Sequence, residues 1–289
     1  MSASIYRENG IYGVYGHSLT EKDAYLFGKA LGSRLAGHTL AVGGDVRLST
    51  MTLKEEAVKG LITSGCMVMD AGILPLPALA FAGSSCDAAA VVMVTASPRP
   101  ARYNGFKVYM QDGPLPAKEI ADLRSAVVRR KDFVYRGGRV DRISSMLSYL
   151  DHLESSANRR QGGRIVLDCG HGTCSAVAPR LFRGLGYDVV ERFTGIDGAF
   201  PDRNPALTGR NVAALGRAVV ACDAELGIAF DDDGDELALV DGNGREMNWG
   251  AVGDGFCCME QTAYGCHDAL LTAILVLEAL NSTWLEDTE

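Results

Sequence analysis

The chain has 289 residues, of which 47% are hydrophobic and 22% charged, and its formal charge is −8. That length can build two compact domains, or one large one with an appendage, and that balance argues against disorder. The negative charge argues against non-specific binding to nucleic acid or to an anionic membrane, since both need an attractive field.

Short apolar runs alternate with helix-length amphipathic segments along the chain, the pattern of an α/β protein. Residues MSASIYRENG contain no basic segment followed by an apolar run, so no secretory signal is expected. Thr39 to Val42 reads as a strand and Thr50 to Thr63 as a helix. Cys66 to Asp70, Ala88 to Val94 and Phe106 to Met110 read as further strands, and Ala117 to Val128 as a helix. Arg129 to Arg142 mixes basic residues with Gly137-Gly138; a basic anion-binding patch is one reading, and a solvated interdomain linker is the one expected. A domain boundary is expected there, giving domains 1–140 and 141–250 with a remainder at 251–289, and sheets of about four strands each.

The second half repeats the pattern. Ile165 to Asp168 is a predicted strand running into Gly170-His171-Gly172, which is expected to open a helix through Leu185. Strands are expected at Tyr187 to Glu191, Glu225 to Phe230 and Leu237 to Asp241, with a helix over Asn211 to Val220. The last helix, about Asp268 to Asn281, is apolar on nearly every side and must be buried. Its apolar core from Ala269 to Leu280 is too short to span a bilayer. Leu271, Leu275 and their neighbours predict a homodimer if one side of this helix is left uncovered.

Eight cysteines, Cys66, Cys86, Cys169, Cys174, Cys222, Cys257, Cys258 and Cys266, form no CxxC pair. Reduced, buried thiols of a cytoplasmic protein are the expectation. A site built from Cys257, Cys258, Cys266 and His267 fits no standard zinc spacing.

The strongest chemical signal is Asp231-Asp232-Asp233-Gly234-Asp235-Glu236, five carboxylates in six residues between two apolar strands. Such groups repel one another, and a compact turn of them calls for a cation. Asp231, Asp233 and Asp235 alternate and can turn oxygens toward one point, leaving room for phosphate and water, which suits Mg²⁺. A solvated acidic turn is the competing reading. The second signal is Thr95-Ala96-Ser97-Pro98-Arg99-Pro100 at the end of a buried strand, where a serine is placed to meet a ligand.

Taken together, these segments resemble the α-D-phosphohexomutases. Thr95-Ala96-Ser97 followed by Tyr103-Asn104-Gly105-Phe106-Lys107 is similar to their phosphoserine loop, T-[AG]-S-H-N-P and then Y-N-G-x-K. Phe230 with the aspartates resembles their metal loop, F-D-G-D-[AG]-D-R. Val166 to Gly172, Gly13 to Thr20 and Ala41 to Ser49 match three further motifs in the same order. The resemblance implies two consecutive mixed-sheet α/β domains plus a short remnant of a third. The fourth domain's R-x-S-x-T loop has no counterpart in this sequence. It also implies that Ser97 carries a phosphoryl group and that Lys107 assists proton transfer or binds phosphate. Mg²⁺ would be held by Asp231, Asp233 and Asp235 together with Ser97, and the substrate would be a phosphorylated small molecule such as a hexose phosphate.

Several positions depart from the family pattern. Its Y-D-x-R-G reads Asn9-Gly10-Ile11-Tyr12-Gly13, its G-R-D reads Gly43-Gly44-Asp45, and the histidine after the serine is Pro98. In the metal loop, Asp232 replaces glycine and Glu236 replaces arginine, and G-E-x-S-G-H reads Ala251 to Phe256 without glutamate, serine or histidine. Exchanging arginine for glutamate beside a dianion predicts weaker phosphosugar binding. Three functions follow: phosphomannomutase/phosphoglucomutase chemistry, a phosphatase or phosphotransferase acting on another substrate, or a non-catalytic binding or assembly module.

Overall fold

The computed structural model describes residues 5–7, 10–130, 133–157, 162–247 and 261–286, with side chains described to 280. They divide into two units, Met1–Ser145 with Thr262–Cys266, and Met146–Gln261 with His267–Glu289.

In the first unit a mixed sheet runs β1 (Tyr6–Arg7), β2 (Gly10–Val14), β6 (Tyr103–Met110), β5 (Ala90–Val94), β3 (Thr39–Gly44), β4 (Met67–Ile73), β8 (Arg139–Arg142), with β7 (Gly113–Pro114) paired to β6. Strands β3, β4, β5 and β8 are parallel to their neighbours in that group, whereas β6 runs antiparallel to β5 and β2. Four helices accompany the sheet: α1 (Glu21–Arg34), α2 (Thr50–Thr63), α3 (Leu76–Ser85) and α4 (Ala117–Arg129). Phe27, Leu31, Leu53 and Leu61 of α1 and α2 share one core with Leu40, Val42, Val68 and Val92. Leu79 of α3 closes on β3 at Gly43. Covered in this way, β5 is buried along its whole length, which is why its sequence is a continuous apolar run.

The second unit holds a four-stranded sheet in the order β10 (Asp188–Arg192), β9 (Arg164–Asp168), β11 (Leu226–Phe230), β12 (Leu237–Asp241). Both partners of β9 are parallel to it, and β11–β12 is an antiparallel pair. Val212, Leu215 and Val219 of α7 (Gly209–Ala221) pack on Val166, Ala229 and Val240. Helix α5 (Met146–Ser155) contacts α6 (Ala178–Gly184) and α8 (Ala269–Glu286).

Three sequence expectations are corrected. The segment expected as a linker ends in a strand, because Arg139–Arg142 pairs in parallel with Met67–Asp70 at the sheet edge. With this strand, the β1–β2 hairpin and β7, the first sheet has eight strands rather than about four. Nor does a helix start at Gly170: Gly170 and His171 take left-handed φ values of 50° and 63°, a short 3₁₀ turn covers Thr173–Ala176, and α6 begins beside Pro179. Helix α8 buries Leu270, Ile274, Val276 and Leu277, while Leu271 and Leu275 are half-buried. Among the described residues, no helix is long and apolar enough to cross a membrane. Cys66, Cys86, Cys169, Cys174, Cys222 and Cys266 are free thiols. Cys257 and Cys258, like Ala251 to Phe256, lie outside the described residues.

Candidate functional site

In the first unit, the carboxyl end of β5 delivers Ser97. Asp45 N donates to Val94 O and Thr95 N to Gly105 O, both at 3.0 Å, so the strand's end is fixed on both sides before the loop begins. Ser97 is 8% exposed, and its amide donates to Thr95 Oγ1 at 3.0 Å. Beneath it lies a buried ion pair in which Arg47 Nε donates to Asp45 Oδ2 at 2.9 Å. The other Arg47 nitrogens donate to the carbonyls of Arg99 (2.8 Å), Pro100 (2.9 Å) and Tyr103 (3.0 Å), which ties down the loop that follows the serine. Asn104 donates to Ser49 Oγ (2.9 Å) and Thr50 Oγ1 (3.0 Å), joining the start of α2 to β6. Lys107 is half-buried on β6 opposite Met93, and with Ile11, Tyr109 and Leu115 it lines a cavity of about 310 Å³.

Two of the departures have a physical account here. A Cβ on Gly44 would lie 2.3 Å from Thr50 Cγ2, so the family's arginine has no room while Thr50 bonds Asp45 and Asn104. Tyr12 stands where the resemblance puts another arginine, and the Arg99 guanidinium lies 3.6 Å over its ring. A cation is therefore kept beside this position from a different segment.

In the second unit, the turn between β11 and β12 carries the acidic loop. Asp231, Asp232 and Asp233 are fully buried and Asp235 is 7% exposed, which removes the solvated-turn reading; only Glu236 is exposed. One carboxylate oxygen each from Asp231, Asp233 and Asp235 lies within 4.8 Å of the others. Asp231 Oδ1 accepts from the amides of Gly234 (3.0 Å) and Glu236 (3.1 Å), which fixes the curl of the loop. The loop's charge reaches Cys174, behind the larger effect of burial. Burial pushes the Cys174 thiol well above its usual range, and Cys169, Asp231, Asp268 and Asp233 push it further. The Asp268 carboxyl is raised by burial although Tyr149 Oη and Leu271 N donate to it. Three convergent buried carboxylates in a strongly negative field fit a hard divalent cation.

The loop's base is braced by side chains that sequence reasoning missed. Arg203 Nε donates to Asp168 Oδ1 at 2.7 Å and Nη2 to Phe230 O at 2.6 Å, joining the ends of β9 and β11. Thr173 donates through N (2.9 Å) and Oγ1 (3.0 Å) to Asp232 O. His171 has Gly195 O 2.6 Å from Nδ1 and Asp202 Oδ2 2.7 Å from Nε2. Both partners are acceptors, so both bonds form together only when the ring carries two N–H groups.

Comparison with known proteins bears on all these segments. The family model described as phosphoglucomutase/phosphomannomutase, alpha/beta/alpha domain I, matches residues 3–132, and the one for alpha/beta/alpha domain II matches 147–244. A phosphomannomutase/phosphoglucomutase of Pseudomonas aeruginosa is 34% identical over 249 residues, covering 84% of this chain and 53% of that protein. A phosphoglucomutase of Neisseria meningitidis is 35% identical over 251 residues, covering 84% and 54%. Among solved structures, a phosphoglucomutase/phosphomannomutase family protein from Burkholderia thailandensis is 31% identical with a TM-score of 0.80, covering 85% of this chain and 56% of that one. A Thermus thermophilus structure at 20% identity shares the fold, with a TM-score of 0.83. The chain spans about half the length of the curated relatives it matches. It belongs to the phosphoglucomutase/phosphomannomutase family, the α-D-phosphohexomutases, as two α/β domains of that type.

Proposed function

We propose that this chain transfers phosphoryl groups through Ser97, assisted by Mg²⁺ held by Asp231, Asp233 and Asp235. The observation that carries the reading is the convergence of three buried carboxylate oxygens within 4.8 Å. A divalent cation there would neutralise charge on a transferring phosphoryl group. A phosphate on Ser97 as a further ligand of that cation belongs to the same proposal. So does Lys107 as the group that binds phosphate or moves a proton. The substrate class is a phosphorylated small molecule, in the first instance a hexose phosphate. Free thiols at the described cysteines go with a cytoplasmic setting. A homodimer through the side of α8 carrying Leu271 and Leu275 is also proposed, and light scattering on the wild type and Leu275→Glu tests it.

A second reading is favoured by the filled space at Gly44 and by the exposed Glu236. With the grip on the phosphosugar altered, interconversion of mannose or glucose 1- and 6-phosphates is expected to be slow, leaving a phosphatase or phosphotransferase on a different substrate. Turnover assays with hexose phosphates separate the two. Rapid interconversion that is lost in Ser97→Ala supports the mutase, whereas phosphate release without interconversion supports the second reading. If neither occurs and Ser97 takes up no phosphate, the chain is a non-catalytic module.

A further inference from the structure

We infer that Arg203 is the positioning residue of the metal loop, holding the base of that loop in its cation-ready shape. The inference rests on the reading of Asp231, Asp233 and Asp235 as cation ligands. The parallel ladder between β9 and β11 has its last pair at Asp168 and Ala229. Phe230, the next residue and the one that leads into Asp231, has no β9 partner in that ladder. Arg203 supplies the missing tie. Its Nη2 donates to Phe230 O at 2.6 Å and to Asp168 O at 3.4 Å, and its Nε to Asp168 Oδ1 at 2.7 Å. Its Nη1 donates at 3.2 Å to the carbonyls of both Asn204 and Pro205, so the loop that bears the arginine is fixed as well.

A guanidinium has five N–H groups in a rigid plane, and these contacts use all five. The side chain is 4% exposed, and its charge is balanced by the buried Asp168, so it orders the loop without cancelling the charge meant for the cation. Room for it is made at Gly170, where a Cβ would lie 2.5 Å from Arg203 Cζ and where φ is +50°. A lysine offers three donors from a single point and cannot tie three backbone segments at once. The supporting shell of a metal site sets how well its ligands converge, and disturbing it costs about 10- to 100-fold in affinity.

The test is calorimetric titration of Mn²⁺ into wild type, Arg203→Lys, Arg203→Gln and a control, Leu181→Ala, whose buried side chain lies in α6. Hydrogen exchange of the amides from 230 to 236 is followed in the same metal-free proteins. Expected are a wild-type Kd weakened about 10- to 100-fold in the Arg203 variants, faster exchange at those amides, and neither change in Leu181→Ala. Should Arg203→Gln fail to fold, Arg203→Lys and Gly170→Ala give the same comparison. Folded Arg203 variants that bind Mn²⁺ with the wild-type Kd overturn the assignment while leaving the metal reading intact. A wild type that binds no Mn²⁺ overturns the metal reading and this assignment with it.

Discussion

Arg47 in the first unit and Arg203 in the second hold their loops by one device, a buried guanidinium paired through Nε to a carboxylate while its other nitrogens gather backbone carbonyls. They differ in what they hold. Arg47 ties the carbonyls of Arg99, Pro100 and Tyr103, in a loop just after Ser97 that carries Arg99 and Arg102 but no carboxylate. Arg203 ties two parallel strands beneath a turn in which buried carboxylates crowd together. The first loop holds no carboxylate, so it has no negative charge for a metal cation to relieve. The second carries built-in repulsion that a cation would relieve. One mechanical solution thus serves both the Ser97 loop and the aspartate loop, and their charges differ.

The sharpest way to break this comparison is to remove each arginine. Leaving a buried carboxylate unpaired costs about 3–5 kcal/mol, so Arg47→Ala should destabilise by that order in urea unfolding and Arg203→Ala by somewhat less, since Arg192 Nε still lies 3.7 Å from Asp168. Only the second should lower the gain in melting temperature on adding Mg²⁺. Equal loss of that gain in Arg47→Ala would erase the distinction. Next in size is the cation response. At 100 times its Kd, Mg²⁺ should stabilise the wild type by about 2.7 kcal/mol, and Asp233→Asn should remove most of this. A melting midpoint that stays put in saturating Mg²⁺ would count against the charged-loop half of the comparison. Smaller still is the effect expected in the first unit. Gly44→Ala forces a Cβ against the Thr50 methyl and should cost about 1–3 kcal/mol. Thr50→Ser keeps the hydroxyl that bonds Asp45 and Asn104, so the double variant should recover part of that loss. No recovery would mean that Thr50 is not what fills the family's arginine position.

The sequence made one of these arginines visible and hid the other. Arg47 sits in a short motif with its ion-pair partner Asp45 and with Ser49, although the carbonyls it ties come from residues 99 to 103. Arg203 draws on Asp168, Asn204, Pro205 and Phe230, which no periodicity or spacing brings together. The same logic explains the elements. Ala90–Val94 and Leu226–Phe230 are buried throughout and read as apolar runs. Helix α3, LPALAFAGSS, has no polar face to give a 3.6-residue period, and α1 buries Lys29 and two glycines, which blurs its stripe. Strand β8, RVDR, is exposed at all four positions and looks like a linker until β4 pairs with it. The acidic turn and the Ser97 loop stand out in the sequence because each is a short run of neighbouring residues. The cation near Tyr12 was not, because Arg99 reaches it from another loop.

The account's central claim is that Ser97 accepts a phosphoryl group with the help of a cation at the aspartate triad. Intact-mass spectrometry after incubation with a hexose 1,6-bisphosphate and Mg²⁺ tests it most directly. One added phosphate, mapped to Ser97, is predicted for the wild type, with none in Ser97→Ala and far less in Asp233→Asn or after chelation. An unmodified wild type, or a phosphate that persists in Ser97→Ala, would contradict it.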